Sequence, residues 1–530
     1  MDLKRFYLPL FAISLLTLII ALAAVLRAWQ ANESLWIDEL HTSWVVSDDA
    51  DFIAGRAAIG NQSPLFFYVV KASTFCFGMT ELALRLPSLI AGTALVLLVF
   101  FACARWTKST CAGLFAAVVV ALERDFLFYS QEARPYAMVQ LVGLIQIMLF
   151  VELVSRARQP DSRKHGRFLI RIALVISTAC LFYLHYTAML IVVGEVAAFA
   201  VLRIATTKPG TYQWSTFSVD LGITCLLCLP AAGHLWDIWQ RKQNWLSIPA
   251  DWPSLETART VAVFVVLPLL VVATAWISKT GRRDGAPWRF VGLLAMLFAI
   301  PLLIGWLLTV TGIANLGLHR YVIVTAVIPM IFAACCCGLL ARPVVRIAAG
   351  LLIAICAITS DAYLNRETVF WQLYEPEKAA RFHYEDWRGA VRWINEPRSG
   401  HQVPVLLCSA LVEDESLWKT TDAKTYEYLQ FPLRGIYRLN PERRQVIPLP
   451  TFPHPTNQRR QRPSSDKCRE IGRAGGAWLV IRHDRPKEWA SITEDILHSL
   501  RESGLQARGV SAHSFGNVRV VRLEAFVPTE

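Results

Sequence analysis

Residues 64–79, PLFFYVVKASTFCFGM, decide how the chain is threaded. The stretch is apolar but short, and Lys71 interrupts it. A helix that crosses a bilayer needs about 20 mostly apolar residues. If 64–79 crossed, every later loop would change sides. Read instead as a juxtamembrane helix lying in the interface, it leaves eleven windows that qualify or nearly do. They are 7–29, 84–104, 110–127, 136–154, 168–184, 186–203, 217–233, 260–277, 289–310, 321–341 and 344–360.

Basic residues test that threading, because cytoplasmic loops are rich in Lys and Arg. With the N-terminus inside, the alternate segments hold Lys4 and Arg5, then Arg105 and Lys108, then Arg156, Arg158, Arg163, Lys164 and Arg167. They continue with Arg203 and Lys208, then Lys279, Arg282, Arg283 and Arg289, and end with Arg342 and Arg346. These are 17 basic residues against three acids, Asp2, Asp161 and Asp284. Their net of +14 exceeds the +12 of the whole chain. Letting 64–79 cross would put these loops outside. The eleven-span reading therefore stands, and it places residues 361–530 outside. Ala21-Leu22-Ala23 resembles a signal-peptidase site, but the apolar run is too long for a signal peptide, so the first span reads as an uncleaved anchor.

The composition agrees. The chain has 530 residues, 54% hydrophobic and 18% charged, with a mean hydropathy of +0.39. Soluble domains average about 25% charge. Disordered, collagen-like, disulfide-scaffold and purely soluble classes are excluded. The positive charge invites a nucleic-acid reading, but no Lys/Arg cluster is interleaved with aromatics, so no nucleic-acid partner is expected. The fold class expected is a polytopic α-helical membrane protein of about 11 spans (residues 1–361, with a first outer loop over 30–83), followed by a C-terminal α/β periplasmic domain over 362–530.

In that domain 385–396 reads as helix, 403–408, 477–482 and 517–524 as strands, and 488–503 as a second helix. A Pro- and Arg-rich loop over about 432–463 holds Arg443, Arg444, Arg459, Arg460 and Arg462, either simply solvated or touching an anionic acceptor. Ten of the twelve cysteines lie in or near the spans; Cys408 and Cys468 lie in the outer domain, where an oxidising compartment would permit a disulfide.

Ionisable residues of a membrane protein are functional candidates by default, and here they gather at the outer ends of spans. The first loop carries Asp38-Glu39 between Trp36 and Trp44. Two readings stand side by side: acids at the positive end of a helix with tryptophans as interfacial anchors, or reactive carboxylates. Arg85, in Glu81-Leu82-Ala83-Leu84-Arg85-Leu86-Pro87-Ser88, is either a snorkelling anchor or a ligand. Tyr129-Ser130-Gln131-Glu132-Ala133-Arg134-Pro135-Tyr136 is more polar than a turn between two spans requires. His185-Tyr186 and His319-Arg320-Tyr321 complete the set. Each is ordinary alone; together they suit an anionic lipid head group. Glu195 is the main ionisable residue at mid-span.

In order and position these elements resemble the GT-C class of integral membrane glycosyltransferases, the superfamily of the protein O-mannosyltransferases and the bacterial lipid A aminoarabinose transferases (glycosyltransferase family 39-like). The resemblance spans most of residues 1–361. It rests on Asp38-Glu39, Ser63-Pro64 before Phe66, Phe67 and Tyr68, the Glu81…Ser88 run, Ser130 to Tyr136, His185-Tyr186, and Arg320-Tyr321 with Pro329. It implies an inverting transferase that takes a sugar from a polyprenyl-phosphate donor at the outer face of a bacterial inner membrane and gives it to an envelope lipid, glycan or protein. Asp38 would be the general base, with Glu39 as neighbour or substitute. Arg85, Arg134, Arg320 and Tyr321 would hold the donor phosphate, and Glu132, His185, Tyr186, Ser63, Pro64 and His319 would line the pocket. Where some relatives carry lysine this chain has Ser63, leaving Lys71 or Arg134 to make that phosphate contact. No cofactor is required, since a lipid phosphate already leaves readily; a divalent metal, used elsewhere in the class, is not predicted. Alternatives are a flippase of a lipid-linked sugar and a ligase for a whole lipid-linked glycan.

Overall fold

The computed structural model describes residues 10–29, 31–155, 164–205, 212–240, 242, 255–277, 288–317, 319–364, 385–396, 403–411, 423–440, 445–449, 465–483 and 486–528. Among them nine helices are long and apolar enough to cross a membrane: Leu10–Ala28, Glu81–Thr107, Tyr136–Ser155, Gly166–Leu184, Tyr186–Ile204, Trp214–Gln240, Thr257–Ile277, Phe290–Val310 and Pro343–Ser360. The protein is a multi-pass membrane protein. Each of the nine covers one expected window.

The other two windows fall on shorter apolar helices, Thr110–Leu122 and Ile323–Gly338, and the local reasons are visible. Glu123 leaves the helix at ψ 132° and a separate helix, Arg124–Gln131, follows. The other window opens as two 3-10 turns, His319–Tyr321 and Ile323–Thr325, before regular helix begins at Val327. Leu65–Phe77 and Thr110–Leu122 are each 13 residues long, about 20 Å at 1.5 Å per residue and short of the roughly 30 Å hydrocarbon core; what sets Leu65–Phe77 apart is Lys71 within it.

The chain divides into two compact units. The first takes Met1–Ala31, Arg85–Asp237 and Ile248–Ala379, and contains most of the spans. Its interior holds more charge than Glu195 alone. Arg27 is fully buried; its Nη2 donates to the Val120 carbonyl at 3.0 Å, its Nη1 to the Ala121 carbonyl at 3.3 Å and its Nε to Ser130 Oγ at 3.2 Å. A helix leaves its last carbonyls unsatisfied, and Arg27 supplies the missing donors to the end of Thr110–Leu122. Arg259 donates to Glu123 at 2.8 Å, to the Ala357 carbonyl and to Ser360 Oγ, joining three helices. Arg171 and Asp220 form a two-pronged pair, and Tyr212 donates to the same carboxylate at 2.9 Å. Buried charges persist only when paired and hydrogen-bonded; these were invisible in apolar windows because their partners are far away in sequence.

The second unit takes Asn32–Leu84, Ile238–Ser247 and Ala380–Glu530. It carries a five-stranded sheet of β1 (Val405–Cys408), β2 (Val446–Pro448), β3 (Gly476–Arg482), β4 (Leu505–Phe515) and β5 (Val518–Pro528), in the order β2-β1-β3-β5-β4. β1 runs parallel to β2 and β3, while β5 is antiparallel to β3 and β4. One face packs Leu406, Leu479, Ile481 and Val521 against Ile471, Trp489, Ile492 and Ile496 from the helices Ser465–Arg473 and Pro486–Glu502. On the other, Trp393 of the helix Trp387–Asn395 lies 5.3 Å from Trp478 and 6.0 Å from Phe515.

The α/β reading holds, with two strands added. β2 interrupts the expected loop, and β4 pairs with β5 across the two-residue turn Gly516-Asn517, whose glycine adopts φ 62°. β4 is an edge strand of mixed polarity, which hides its pattern. Cys408 and Cys468 sit in the same apolar cluster, and both remain thiols. Arg443, Arg444, Arg459, Arg460 and Arg462 lie outside the described residues.

Candidate functional site

Within the first unit, residues from three separate chain segments gather around Tyr136, at the start of the helix Tyr136–Ser155. The Tyr136 ring lies 5.0 Å from Tyr129 and 5.9 Å from His185, and the Arg134 guanidinium sits 5.9 Å over it. His185 lies 6.2 Å from Tyr321, over whose ring the Arg320 guanidinium stands at 5.5 Å. Cation–π contact holds each guanidinium near a ring. The Glu132 carboxylate is buried and acts with Asp125 and Tyr136 to disfavour ionisation of Tyr129. Burial is the larger cause of that upward shift, and Arg320 opposes it.

The cluster is held from behind. Ser88 Oγ donates to the Arg134 carbonyl at 2.9 Å, and Gln131 Nε2 donates to the carbonyls of Leu26 and Trp29. Ser130 sits against Gly92 so closely that any side chain there would collide with its hydroxyl. Arg85, expected at the phosphate, is buried and donates from Nη1 to the Ala31 carbonyl at 3.0 Å. Tyr186 turns to His234, with its hydroxyl 2.8 Å from Nδ1, instead of joining His185. The His319 side chain lies outside the described residues.

The Thr187 hydroxyl fixes the His185 tautomer. Its one hydrogen goes to the Tyr321 carbonyl at 2.7 Å, so at 2.8 Å from His185 Nδ1 it must accept. Nδ1 therefore carries the proton, and Nε2 of the neutral ring is an acceptor. Burial, then the charges of Arg134 and Arg320, push the imidazole down to about 3. The unfolded ring takes up a proton below about pH 6.5, which the folded ring refuses until about 3. Stability linked to His185 is therefore complete above pH 6.5 and is lost as pH falls toward 3. The thermal midpoint of the purified protein should drop from pH 7 to pH 5, and His185→Gln should flatten that drop. An unchanged slope would refute the assignment.

Asp38, Glu39, Ser63 and Pro64 belong to the second unit. Asp38 and Glu39 occupy the first turn of the helix Ile37–Val45. Glu39 is fully buried and accepts from the Trp36 N–H at 3.4 Å, so this acid closes its own helix end. Asp38 is only partly buried. Trp44, expected at the membrane interface, is instead buried beside His41, Tyr428 and Phe431. Lys71 donates to the carbonyls of Val46 and Asp48, which accounts for a lysine in an apolar helix and occupies the group expected to replace a phosphate-binding lysine. Ser63 is buried and Pro64 caps the helix Leu65–Phe77.

Groups distant in sequence hold this loop. The Glu385 carboxylate accepts from the Ile37 N–H at 3.0 Å, Trp387 Nε1 at 2.8 Å and Arg482 Nε at 2.6 Å. The Tyr437 hydroxyl accepts from the Leu35 N–H and donates to Glu81, which also receives Arg388. Beside that network an open cleft of about 570 Å³ is lined by Glu81, Arg388, Arg392, Asn395, Tyr437 and Arg438, among others. Neither Glu385 nor Tyr437 stands out in the sequence, since nothing local marks a residue whose partner lies hundreds of positions away. Among the described residues no group of three or more His, Cys, Asp or Glu is placed to hold a metal ion.

Comparison with known proteins bears on these residues. Residues 49–237 match the family model described as dolichyl-phosphate-mannose-protein mannosyltransferase. No curated protein sequence matches. Among solved structures, ArnT from Cupriavidus metallidurans bound to undecaprenyl phosphate is similar over 97% of each chain, at 12% identity and a TM-score of 0.52. The archaeal oligosaccharyltransferase AglB from Archaeoglobus fulgidus, in complex with an inhibitory peptide and a dolichol-phosphate, covers 98% of this chain and 74% of its own, at 11% identity and a TM-score of 0.49. The family model takes in Ser63, Arg85, Glu132, Arg134 and His185, and the fold likeness runs nearly end to end. The chain has the GT-C fold of the integral membrane glycosyltransferases.

Proposed function

We propose that the protein is an inverting glycosyltransferase, moving a hexose or pentose from a polyprenyl-phosphate donor to an envelope lipid, glycan or protein at the outer face of a bacterial inner membrane. The observation that carries this reading is the pair of guanidinium groups, Arg134 and Arg320, set over tyrosine rings around one neutral histidine. Two cations beside acceptor and hydroxyl groups suit a phosphate that gains charge as its bond to the sugar breaks. The undecaprenyl phosphate carried by the ArnT structure supports the same donor class.

In the reaction the acceptor oxygen forms a bond to the anomeric carbon as the bond from that carbon to the phosphate oxygen breaks. The electron pair leaves with the polyprenyl phosphate, where Arg134 and Arg320 stabilise it. A carboxylate base takes the proton of the acceptor hydroxyl, the role that the sequence resemblance gives to Asp38. One displacement inverts the anomeric centre. In this reading residues 361–530 lie outside, on the side opposite the basic loops.

The test is transfer from a radiolabelled polyprenyl-phosphate sugar by purified protein. Arg134→Ala and Arg320→Ala should each raise KM for the donor by about 10- to 100-fold, one charge-assisted contact apiece. Wild-type KM in both variants would remove the phosphate assignment. A flippase would move intact donor across the bilayer without cleaving it.

A further inference from the structure

Gln140 stands on the helix Tyr136–Ser155, one turn beyond Tyr136, and is fully buried. Among the described residues neither its Nε2 nor its Oε1 has a hydrogen-bond partner. A buried amide without partners is costly, most of all where water is scarce. Its neighbour along the same helix, Gln146, at least donates to Glu195 at 2.7 Å.

Helix geometry says where Gln140 lies. Residues three and four apart share a face, so Tyr136 precedes it and Gly143 follows it on one stripe. Tyr136 carries the ring around which Arg134, Tyr129 and His185 gather. A Cβ on Gly143 would meet Val324 at 2.9 Å, three residues past Tyr321. Gln140 is thus set between the arginine cluster and the Val324 contact, about 6 Å along the helix from Tyr136 at 1.5 Å per residue.

The chemistry of the unused group selects its ligand. A phosphate oxygen only accepts and would leave Oε1 unsatisfied. A sugar hydroxyl both accepts and donates, and so pairs with both ends of a carboxamide. We infer that Gln140 forms a sugar-recognition subsite, its amide bonding a ring hydroxyl of the donor's sugar. This rests on the reading of Arg134 and Arg320 as the donor phosphate site.

Two probes separate the subsite from that reading: sugar-free polyprenyl phosphate, and the polyprenyl-phosphate monosaccharide that wild-type protein binds most tightly in a panel of hexoses and pentoses. Gln140→Leu should bind the sugar-free lipid within twofold of wild type, and the sugar-bearing lipid about tenfold more weakly, the loss of one buried hydrogen bond. Its thermal midpoint without ligand should match or exceed that of wild type, because an unpaired amide has gone. Gln140→Met, closer in shape, should behave the same way and serves if leucine disturbs packing. Unchanged affinity for both lipids, or equal loss for both, overturns the subsite while leaving the phosphate site standing. If wild type binds neither lipid, the phosphate site falls, and the subsite with it.

Discussion

Asp38→Asn is expected to lower turnover by about 100- to 10,000-fold, the usual contribution of a general base, with the protein still folded and still binding donor. The substitution preserves shape but removes the capacity to take a proton. It falls in the first turn of the helix Ile37–Val45, at the N-terminal end of the dipole. The start of that helix is fixed by other groups: Glu385 takes the Ile37 N–H, Tyr437 the Leu35 N–H and Glu39 the Trp36 N–H. The adjacent acids thus have different expectations. Glu39→Gln should affect stability first, since its carboxylate is fully buried at the helix end; Asp38→Asn should change kcat with little change in donor KM. A folded Asp38→Asn protein with full turnover would remove Asp38 from the chemistry.

The second large effect is on stability. Glu385 is 5% exposed and its carboxylate accepts three donors, one of them the Arg482 guanidinium. Removing one partner of a buried ion pair strands the other and costs about 3–5 kcal/mol. Glu385→Ala should therefore lower the unfolding free energy of the second unit by about that amount, read as early loss of tryptophan fluorescence from Trp387 and Trp478. Arg482→Met alone should cost less, because Glu385 keeps two neutral donors. In the double variant Glu385→Leu with Arg482→Met the loss should be smaller than in Glu385→Ala, since no charge is left stranded. Additive losses would mean the two residues do not act as a pair.

What the sequence made legible follows from the range of the interactions concerned. Apolar windows are local, and all eleven fall on helices; the two that fall short of span length are cut by Glu123 and by the 3-10 turns around Tyr321. Arg134, His185, Arg320 and Tyr321 were marked by being polar at the ends of apolar runs, and they gather around Tyr136. Arg85 and Tyr186 carried the same mark but are bonded to the Ala31 carbonyl and to His234. A polar residue at a helix end can serve a ligand or a neighbouring backbone, and periodicity does not distinguish them. Arg27, Glu385 and Tyr437 went unmarked because they satisfy backbone groups remote in sequence. Gln140 is one polar residue in an apolar helix, and only its burial and its want of a partner among the described residues set it apart.

The measurement that tests the central claim most directly is the fate of a doubly labelled donor, tritium in the sugar and phosphorus-32 in the polyprenyl phosphate, in liposomes containing only the purified protein and an envelope extract as acceptor source. Transfer predicts that the two labels separate, with tritium in the acceptor at inverted configuration and phosphorus-32 in sugar-free lipid, and that Arg134→Ala, Arg320→Ala and Asp38→Asn suppress the separation. Labels that stay together while the donor crosses the bilayer would contradict it.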